Sequence, residues 1–414
     1  MRDVLVIGGG PAGTTAATLL AQQGLSVTLL ERERFPRFQI GESLLPYNND
    51  LFARLGLTDA LVEGDYFPKY GAYFVTGDGA HGYRFRFDQR LQEPYRRSFQ
   101  VKRSEFDHLL LKNAEKHGVD VRQETPVTAI DLSNPEKAVV NGDLEARFVV
   151  DASGHHSLVG NRVAGRADVA SLKKIAIFAH YGNVPRDPGK DAGNTVIVVL
   201  RDSWFWLIPI TADTMSVGLV VDRDHLLRCG LEPEALLDRT IAATPFVAGR
   251  MKNATRVSQV YARKDFSFRM RQLAGSNFAL IGDAAGFLDP IFSTGVFMAM
   301  KSADMAVGAV LERLRGGSMS GLRAYESEMQ RGLDKYLRFI EHFYDHDFME
   351  VFLQPSERWG LLTAVVGVLA GDIFAKRNNR FKLWLFFLLV KLQKRLGKIA
   401  PRISWEALPA AAKL

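Results

Sequence analysis

The sequence has a single cysteine, Cys229, so no disulfide can form within the chain. It also has no apolar signal region after Met1. Internal repeats and low-complexity segments are missing as well, and we expect no metal site. These absences predict a soluble protein of the reducing cytoplasm.

Acidic residues are in the minority. The chain has 53 lysine and arginine residues against 46 aspartate and glutamate residues, a formal net charge of +7. Such a surplus attracts a phosphate-rich cofactor, an acidic carrier protein, nucleic acid or a membrane surface. No nucleic-acid-binding motif accompanies the charge, so we expect no nucleic-acid partner. A hydrophobic content of 47% over 414 residues indicates a globular enzyme with two or three domains.

The first residues carry a dinucleotide-binding pattern. An apolar run at residues 4–7 ends in GGGPAG, a helical stretch follows at residues 15–23, and a second apolar run at residues 27–30 ends at Glu31. Gly8, Gly10 and Gly13 allow the backbone to approach a pyrophosphate at a helix N-terminus, and Glu31 stands where the ribose-binding acid is expected. A glutamate at position 13 should therefore abolish dinucleotide binding.

A second junction late in the chain favours FAD over NAD. The apolar run at residues 278–281 ends in Gly282 and Asp283, and a helix is expected from near Ser293. An acid at this position can bind the ribityl hydroxyls of a flavin, which a nicotinamide fold does not need. The alternative is that Asp283 is a plain helix cap.

The pattern of elements predicts an α/β fold: a Rossmann-like FAD-binding domain with an inserted antiparallel-sheet substrate domain and a helical C-terminal region. A helix capped by Ser104 is expected at residues 104–117, and strands at residues 175–180, 196–200, 204–210 and 215–221. The predicted division of the chain is FAD-binding domain 1–75, substrate-domain strands 76–97, FAD-binding domain 98–165, substrate sheet 166–265, FAD-binding domain 266–321 and helical region 322–414.

Further motifs place the chain beside a known family. GGGPAG, GESLLP at residues 41–46, KRSEFD at 102–107, DASG at 151–154 and GDAA at 282–285 resemble flavin-dependent halogenases and the related monooxygenases and geranylgeranyl reductases. WFWLIP at residues 204–209 and FLDPIFSTG at 287–295 are similar to the two motifs that separate halogenases from those relatives. Lys69, in PKYGA at residues 68–72, stands where the halogenases carry their catalytic lysine.

The resemblance implies a site and a reaction. Reduced FAD, supplied by a separate flavin reductase, and oxygen would oxidise chloride or bromide to hypohalous acid, and Lys69 would handle this oxidant as an ammonium or as an amine. The FAD-binding residues would be Gly8, Gly10, Gly13, Glu31, Arg32, Glu42, Ser43, Arg103, Asp151, Asp283 and Gly295. The halide would lie at Ser293, Thr294 and Gly295. The active-site wall would be Trp204, Trp206, Pro209, Phe287 and Pro290.

Plainer interpretations stand beside these assignments. Lys69 can be a surface lysine, and Trp204 and Trp206 can be two aromatic residues on one face of a buried strand. Because Phe292 stands where tryptophan halogenases carry a glutamate, the resemblance points to a phenol or pyrrole substrate, free or carrier-bound, rather than free tryptophan. The alternative function is that of a flavin monooxygenase or a geranylgeranyl-reductase-like oxidoreductase on the same fold.

The C-terminal region contains one apolar segment and one basic amphipathic segment. Residues 360–371 are too few to span a bilayer, whereas residues 381–396 combine lysine and arginine with aromatic and aliphatic side chains. The second segment is interpreted either as a peripheral membrane contact or as a helix that packs over the substrate entrance.

Overall fold

The computed structural model describes residues 1–163, 165–264, 267–374 and 377–412. Within that part of the chain the strands are β1 (Arg2–Ile7), β2 (Val27–Leu30), β3 (Phe67–Lys69), β4 (Gly71–Thr76), β5 (Gly82–Arg86), β6 (Ser98–Gln100), β7 (Asp120–Arg122), β8 (Ile130–Asn134), β9 (Lys137–Val140), β10 (Leu144–Asp151), β11 (Arg166–Asp168), β12 (Lys174–Gly182), β13 (Thr195–Val199), β14 (Trp204–Pro209), β15 (Thr214–Asp222), β16 (Thr255–Arg256), β17 (Tyr261–Lys264), β18 (Phe268–Met270), β19 (Phe278–Leu280) and β20 (Gly286–Phe287). The helices are α1 (Pro11–Ala21), α2 (Asn49–Arg54), α3 (Thr58–Glu63), α4 (Phe87–Arg90), α5 (Arg103–Lys116), α6 (Gly160–Val163), α7 (Arg223–Cys229), α8 (Pro233–Ala243), α9 (Pro245–Met251), α10 (Thr294–Leu314), α11 (Ser320–Phe343), α12 (His346–Leu353), α13 (Leu361–Ala370) and α14 (Arg377–Leu396).

The N-terminal sheet is built around β1, whose last four residues are apolar and buried, as suits a strand covered on both faces. β1 pairs in parallel with β2 and with β10, and β19 pairs in parallel with β10. In this register Ile7 lies beside Leu30 and Asp151, so the glycine turn, Glu31 and Asp151 meet at one edge of the sheet. This is the edge at which open parallel sheets bind their ligands.

Helix α10 packs against α1 and covers this sheet, and it supports the second junction because Ser302 accepts the Gly282 amide at 2.8 Å. Over the part of the chain described, α10 is long and apolar enough to cross a membrane by length and composition, with 67% of its apolar window buried in the fold. Its burial and packing identify it as a core helix.

The second sheet has the order β16-β12-β15-β14-β13-β4-β5, with β17 also paired to β12. It contains the four predicted strands, and most neighbours are antiparallel as expected. β13 and β4 are parallel, a pairing that the sequence pattern does not predict. β4 also belongs to this sheet although residues 71–75 were assigned to the FAD-binding part, because pairing with a distant strand, not local pattern, decides its place.

The two faces of this sheet belong to different cores. On β14, Trp204 and Trp206 face the core shared with the FAD-binding sheet, whereas Phe205 and Leu207 face a second core under α8 and α9. Strand geometry requires this alternation, because successive side chains point to opposite faces.

Element ends differ in detail from the predictions. Helix α5 begins at Arg103 with Lys102 as its N-cap rather than Ser104, and the helix predicted near Ser293 extends to Leu314. The predicted boundary at residues 265–266 and the last two residues of the helical region, 413–414, lie outside the described residues. The division into domains otherwise stays a prediction.

Candidate active site

The glycine turn after β1 forms an open cradle. A Cβ added to Gly8, which has φ +106°, would stand 2.4 Å from the Ala152 oxygen, and one on Gly13 would stand 1.9 Å from the Gly8 oxygen. The absence of side chains at these two positions therefore allows the backbone segments of the turn to pack closely. A Cβ on Gly10 would meet only Arg37 Nη2, at 3.5 Å, so the surface at the N-terminus of α1 is open to a pyrophosphate.

Glu31 lies at the end of β2 and is buried. Its Oε2 accepts the Gly9 amide at 2.7 Å, and its Oε1 accepts the Glu33 amide at 2.8 Å. The carboxylate is thereby fixed beside the glycine turn, where a dinucleotide fold is expected to carry its ribose-binding acid. Because each carboxylate oxygen can accept a second hydrogen bond, capacity remains for the ligand.

Glu31→Ala is expected to weaken FAD binding by about 1–3 kcal/mol, the cost of losing a hydrogen bond to a charged group. Glu31→Gln keeps one acceptor oxygen, so its FAD affinity should lie between those of Glu31→Ala and the wild type. Titration of the apoprotein with FAD, followed by flavin fluorescence, measures this, with Glu63→Ala as the control at an exposed glutamate. Equal dissociation constants for all four proteins would remove Glu31 from the site.

Arg103 binds the backbone at the start of the loop that carries GESLLP. Its guanidinium donates to the Ile40 oxygen at 2.7 Å and the Gly41 oxygen at 3.3 Å, and it forms a bidentate pair with Asp107 at 2.7 and 2.9 Å. Burial lowers the pKa of Arg103, but the Asp107 carboxylate raises this pKa by more. The net shift is upward, so the guanidinium stays charged. Arg103 therefore positions the loop, and its predicted contact with FAD stays a prediction.

The same loop crosses the face of the second sheet that carries Trp204 and Trp206, called the tryptophan face below. Glu42 Oε1 lies 2.7 Å from His180 Nε2 on β12, and Ser43 Oγ lies 3.0 Å from Thr195 Oγ1 on β13. Between these strands in the sheet order stand β15 and β14, and Trp206 Nε1 donates to Ser216 Oγ at 3.1 Å. Glu42, Ser43 and Trp206 consequently belong to one site.

Lys69 ends the short strand β3, which pairs with β6. The side chain is 2% exposed, which excludes the interpretation as a surface lysine. Its Nζ donates to Ser43 Oγ at 2.8 Å and to the Leu44 oxygen at 3.1 Å, and it stands 5.7 Å from the centre of the Phe87 ring. Burial lowers its pKa to about 7, so near neutral pH it exchanges between ammonium and amine.

The buried lysine should make stability depend on pH. Because its pKa falls from 10.5 to about 7 on folding, the cost of burying Lys69 is complete below pH 7 and declines as the pH rises toward 10.5. Lys69→Met should therefore raise the free energy of unfolding by about 2–5 kcal/mol near pH 6.5, and this gain should shrink by about 2–3 kcal/mol near pH 9.5. Urea titrations of both proteins measure the difference, with exposed Lys252→Met as control. A pH-independent difference would contradict the assigned pKa.

Several polar atoms around the lysine are buried yet have no hydrogen-bond partner among the described residues. They are Glu42 Oε2, Gln100 Oε1 and Ser98 Oγ. Buried polar groups normally have partners, so these atoms indicate a place where a polar ligand completes the site. Together with the open surface at Gly10, they fit a bound dinucleotide and its reactants.

Tyr344, a residue of the C-terminal region, links the WFWLIP motif to the FLDPIFSTG motif. Trp204 Nε1 donates to Tyr344 Oη at 2.9 Å, and that hydroxyl donates to Asp289 Oδ2 at 2.8 Å. Lys174 Nζ lies 3.9 Å from the centre of the Tyr344 ring. Burial raises the pKa of Asp289 to about 6, although Tyr344 and the Ile291 amide both favour its charged form.

The predicted halide residues lie at the start of α10. Ser293 has left-handed backbone, φ 56°, and Thr294 begins the helix, so the first amides of a 21-residue helix point toward this turn. Phe287 and Pro290, predicted as wall residues, lie in the segment leading into it, and a Cβ on Gly295 would stand 3.3 Å from the Phe287 ring. Pro209 is buried at the end of β14.

Three predicted FAD residues have other contacts. Asp151 is buried and accepts the Ser153 and Val159 amides at 2.9 and 2.7 Å, so it fixes the DASG loop, and burial raises its pKa. Asp283 does not cap a helix, because it lies inside a short turn and stands 3.3 Å from His155 Nδ1. Arg32 is exposed and pairs with Glu33 at 3.1 Å.

Sequence reasoning missed four members of the site: His180, Thr195, Asp289 and Tyr344. Asp289 lies within FLDPIFSTG, but the motif alone gives this residue no role. The others come from strands or helices remote in sequence, and their pairing with Glu42, Ser43 and Trp204 depends on how the sheet is ordered. The sequence does carry one signal for two of these residues. His180 directly follows the apolar run of β12, and Thr195 directly precedes the apolar run of β13, so each is a polar residue beside a buried strand segment.

The family model of the FAD binding domain matches residues 1–339. With the glycine cradle and Glu31, this match defines an FAD-binding flavoprotein.

Sequence relatives then identify the family. The chain is 29% identical to a 1H-pyrrole-2-carbonyl-(peptidyl-carrier protein) chlorinase of Pseudomonas fluorescens, covering 91% of this chain and 90% of the relative. A corresponding brominase of Pseudoalteromonas luteoviolacea is 34% identical, covering 76% and 78%. A tryptophan 2-halogenase of Chondromyces crocatus is 32% identical, covering 83% and 67%.

A solved structure agrees with these relatives. A flavin-dependent brominase superposes with a TM-score of 0.85 and 29% identity, covering 95% of this chain and 99% of that one. The chain belongs to the flavin-dependent halogenases. It is an FAD-dependent enzyme that halogenates aromatic compounds, and the expected α/β fold and cofactor are confirmed.

Proposed function

We propose that this halogenase acts on a phenol or pyrrole, free or bound to a carrier protein, and that Lys69 delivers the oxidised halogen to it. The observation that carries the proposal is the burial of Lys69 against the GESLLP loop, with its Nζ 2.8 Å from Ser43 Oγ. A lysine is costly to bury, so its presence at this place favours a chemical role.

FAD, when bound and reduced, supplies the electrons that let oxygen convert a halide into hypohalous acid. The residues of this chain then have three tasks: binding the halide, guiding the oxidant and excluding water. The first amides of α10, at Thr294 and Gly295, are suited to an anion because a helix N-terminus carries partial positive charge.

Lys69 performs the second task. As an ammonium it hydrogen-bonds the oxygen of hypohalous acid and makes the halogen more electrophilic; as an amine it takes the halogen in a nitrogen–halogen bond and releases water. A pKa of about 7 makes both forms available at neutral pH. The halogen then passes to a ring carbon, which loses a proton.

Exclusion of water falls to the tryptophan face. Trp204 and Trp206 are buried, and their rings lie 5.9 Å apart between centroids. This apolar wall separates the reacting halogen from solvent, and hydrogen bonds to Tyr344 and Ser216 fix both indoles.

The substrate class is supported by two observations. The pyrrole relatives span most of this chain, and Phe292 is a buried, apolar residue where an acid would be needed for the tryptophan assignment. A relative that halogenates tryptophan is also similar, so tryptophan is a necessary competitor in any assay. We further propose that a separate cytoplasmic flavin reductase provides reduced FAD.

A competition assay tests the substrate class. The holoenzyme, a flavin reductase, NADH and bromide are supplied with equal amounts of a phenol, a carrier-bound pyrrole, free pyrrole-2-carboxylate and tryptophan. We expect brominated phenol or pyrrole to predominate and free tryptophan to stay unmodified. Preferred bromination of tryptophan would refute the proposed substrate while leaving the enzyme class intact.

A further inference from the structure

The outer face of α14 carries large apolar side chains in solvent. Phe381 and Trp384 are 65% and 54% exposed, and their rings stack with centroids 5.8 Å apart. Trp359, in the turn before α13, is 67% exposed and has left-handed backbone, φ 56°. Its neighbour Gly360 stands beside Lys382, whose Nζ would lie 3.2 Å from a Cβ on that glycine. These three aromatic residues, Trp359, Phe381 and Trp384, form the aromatic patch.

The fold does not need these side chains for packing. Helix α14 is anchored by its opposite face, where Phe386, Phe387 and Val390 are buried. On that face Gln393 donates to Glu350 of α12 at 2.7 Å. The exposed face is therefore available for binding, and exposed aromatic clusters of this kind mark interaction sites.

Positive charge accompanies the aromatic patch. Between Asp372 and Glu406 the sequence has nine lysine and arginine residues and no acid. Lys391 and Arg395 follow Trp384 at helical spacing and are exposed, so basic groups continue the same stripe. Nearby acids offset part of this charge: Asp345 pairs with Lys394 at 3.2 Å, and Asp347 and Glu350 pair with Arg402 at 2.6 and 2.9 Å. Glu357, two residues before Trp359, pairs with Arg90.

We propose that this face of α14 docks the enzyme on an anionic lipid surface. Tryptophan and phenylalanine favour the boundary between headgroups and acyl chains, and lysine and arginine bind the lipid phosphates. A two-fold dimer through the same face would place one basic stripe against another, which disfavours a second copy as the occupant. The inference does not rest on the proposed substrate or on Lys69.

Vesicle binding tests the proposal with the FAD-loaded protein. It should co-sediment with vesicles of phosphatidylglycerol and phosphatidylcholine in equal parts, and far less with pure phosphatidylcholine. Brominated acyl chains should quench its tryptophan emission, because Trp359 and Trp384 are exposed whereas Trp204, Trp206 and Trp405 are buried. No binding to the anionic vesicles, or binding without quenching, would overturn the proposal.

Paired substitutions separate the two contributions. Phe381→Ser with Trp384→Ser, and Lys391→Glu with Arg395→Glu, should each lower vesicle affinity at least about tenfold.

The controls change exposed residues elsewhere and should bind like the wild type: Leu227→Ser for the first pair, and Arg239→Glu with Lys252→Glu for the second. Losses equal to those of the controls would refute the docking face. A patch variant that changes the sedimentation coefficient from dimer to monomer without changing vesicle binding would assign the face to a second copy instead.

Discussion

Lys69→Ala is expected to lower product halogenation at least about a thousand-fold, or about 4 kcal/mol, while FAD binding and the oxidation of reduced flavin by oxygen continue. The reason is the place of the side chain: it is buried, bonded to Ser43 and Leu44, and remote in sequence from the glycine cradle. Oxidising equivalents should appear as hydrogen peroxide or hypohalous acid in solution instead of product. Flavin absorbance in single-turnover experiments, followed by product analysis, measures both halves of the result.

Lys69→Arg should not restore the activity. A guanidinium stays protonated at neutral pH, so it cannot form the amine, and its planar fork does not reproduce the compact ammonium that donates to Ser43 Oγ and the Leu44 oxygen. Lys252→Ala, at an exposed lysine, is the matched control. Halogenation by Lys69→Ala at the wild-type rate would end the role assigned to this lysine.

Gly10→Glu is expected to lower FAD affinity at least about a hundred-fold in a protein that still folds. Gly10 has φ −73°, which other residues adopt readily, and an added Cβ meets only Arg37. The new carboxylate would occupy the place of the pyrophosphate and repel it. Equilibrium dialysis against FAD gives the affinity, and thermal unfolding of the apoprotein shows whether the fold survives.

Gly13→Glu should also lose FAD, but for a different reason from the one the sequence suggests. Its Cβ would collide with the Gly8 oxygen, so the turn itself would be disrupted and stability would fall. Gly308→Glu is the control, because this exposed helical glycine has open space around it. Normal FAD affinity in a folded Gly10→Glu protein would contradict the location of the cradle.

The local parts of the fold could be predicted because their causes are local. A buried apolar strand, a glycine turn and a helix follow one another within the first residues, and the geometry of Gly8 and Gly13 leaves no room for side chains. The alternation at Trp204 and Trp206 similarly predicts a shared face, which the strand has.

Contacts between residues far apart in sequence could not be predicted from local patterns. β4 joins the second sheet only through its pairing with β13, and the partners of Ser43 and Glu42 lie on two separate strands of that sheet. Tyr344 directly follows α11 in the C-terminal region, yet it links Trp204 to Asp289. Side-chain burial of Lys69 likewise depends on β6 and the GESLLP loop, which are distant from it in sequence, so the local sequence does not reveal it.

Halide-dependent product formation tests the central claim most directly. The FAD-loaded wild type is incubated with a flavin reductase, NADH, oxygen and a phenol or carrier-bound pyrrole, with bromide, with chloride, and with neither halide. Mass spectrometry should show the nearly equal isotope doublet of bromine, or the unequal doublet of chlorine, on a product that is absent without halide. A product that gains one oxygen atom, or two hydrogen atoms, equally well in the absence of halide would contradict halogenation and assign the chain to the monooxygenases or reductases of the same fold.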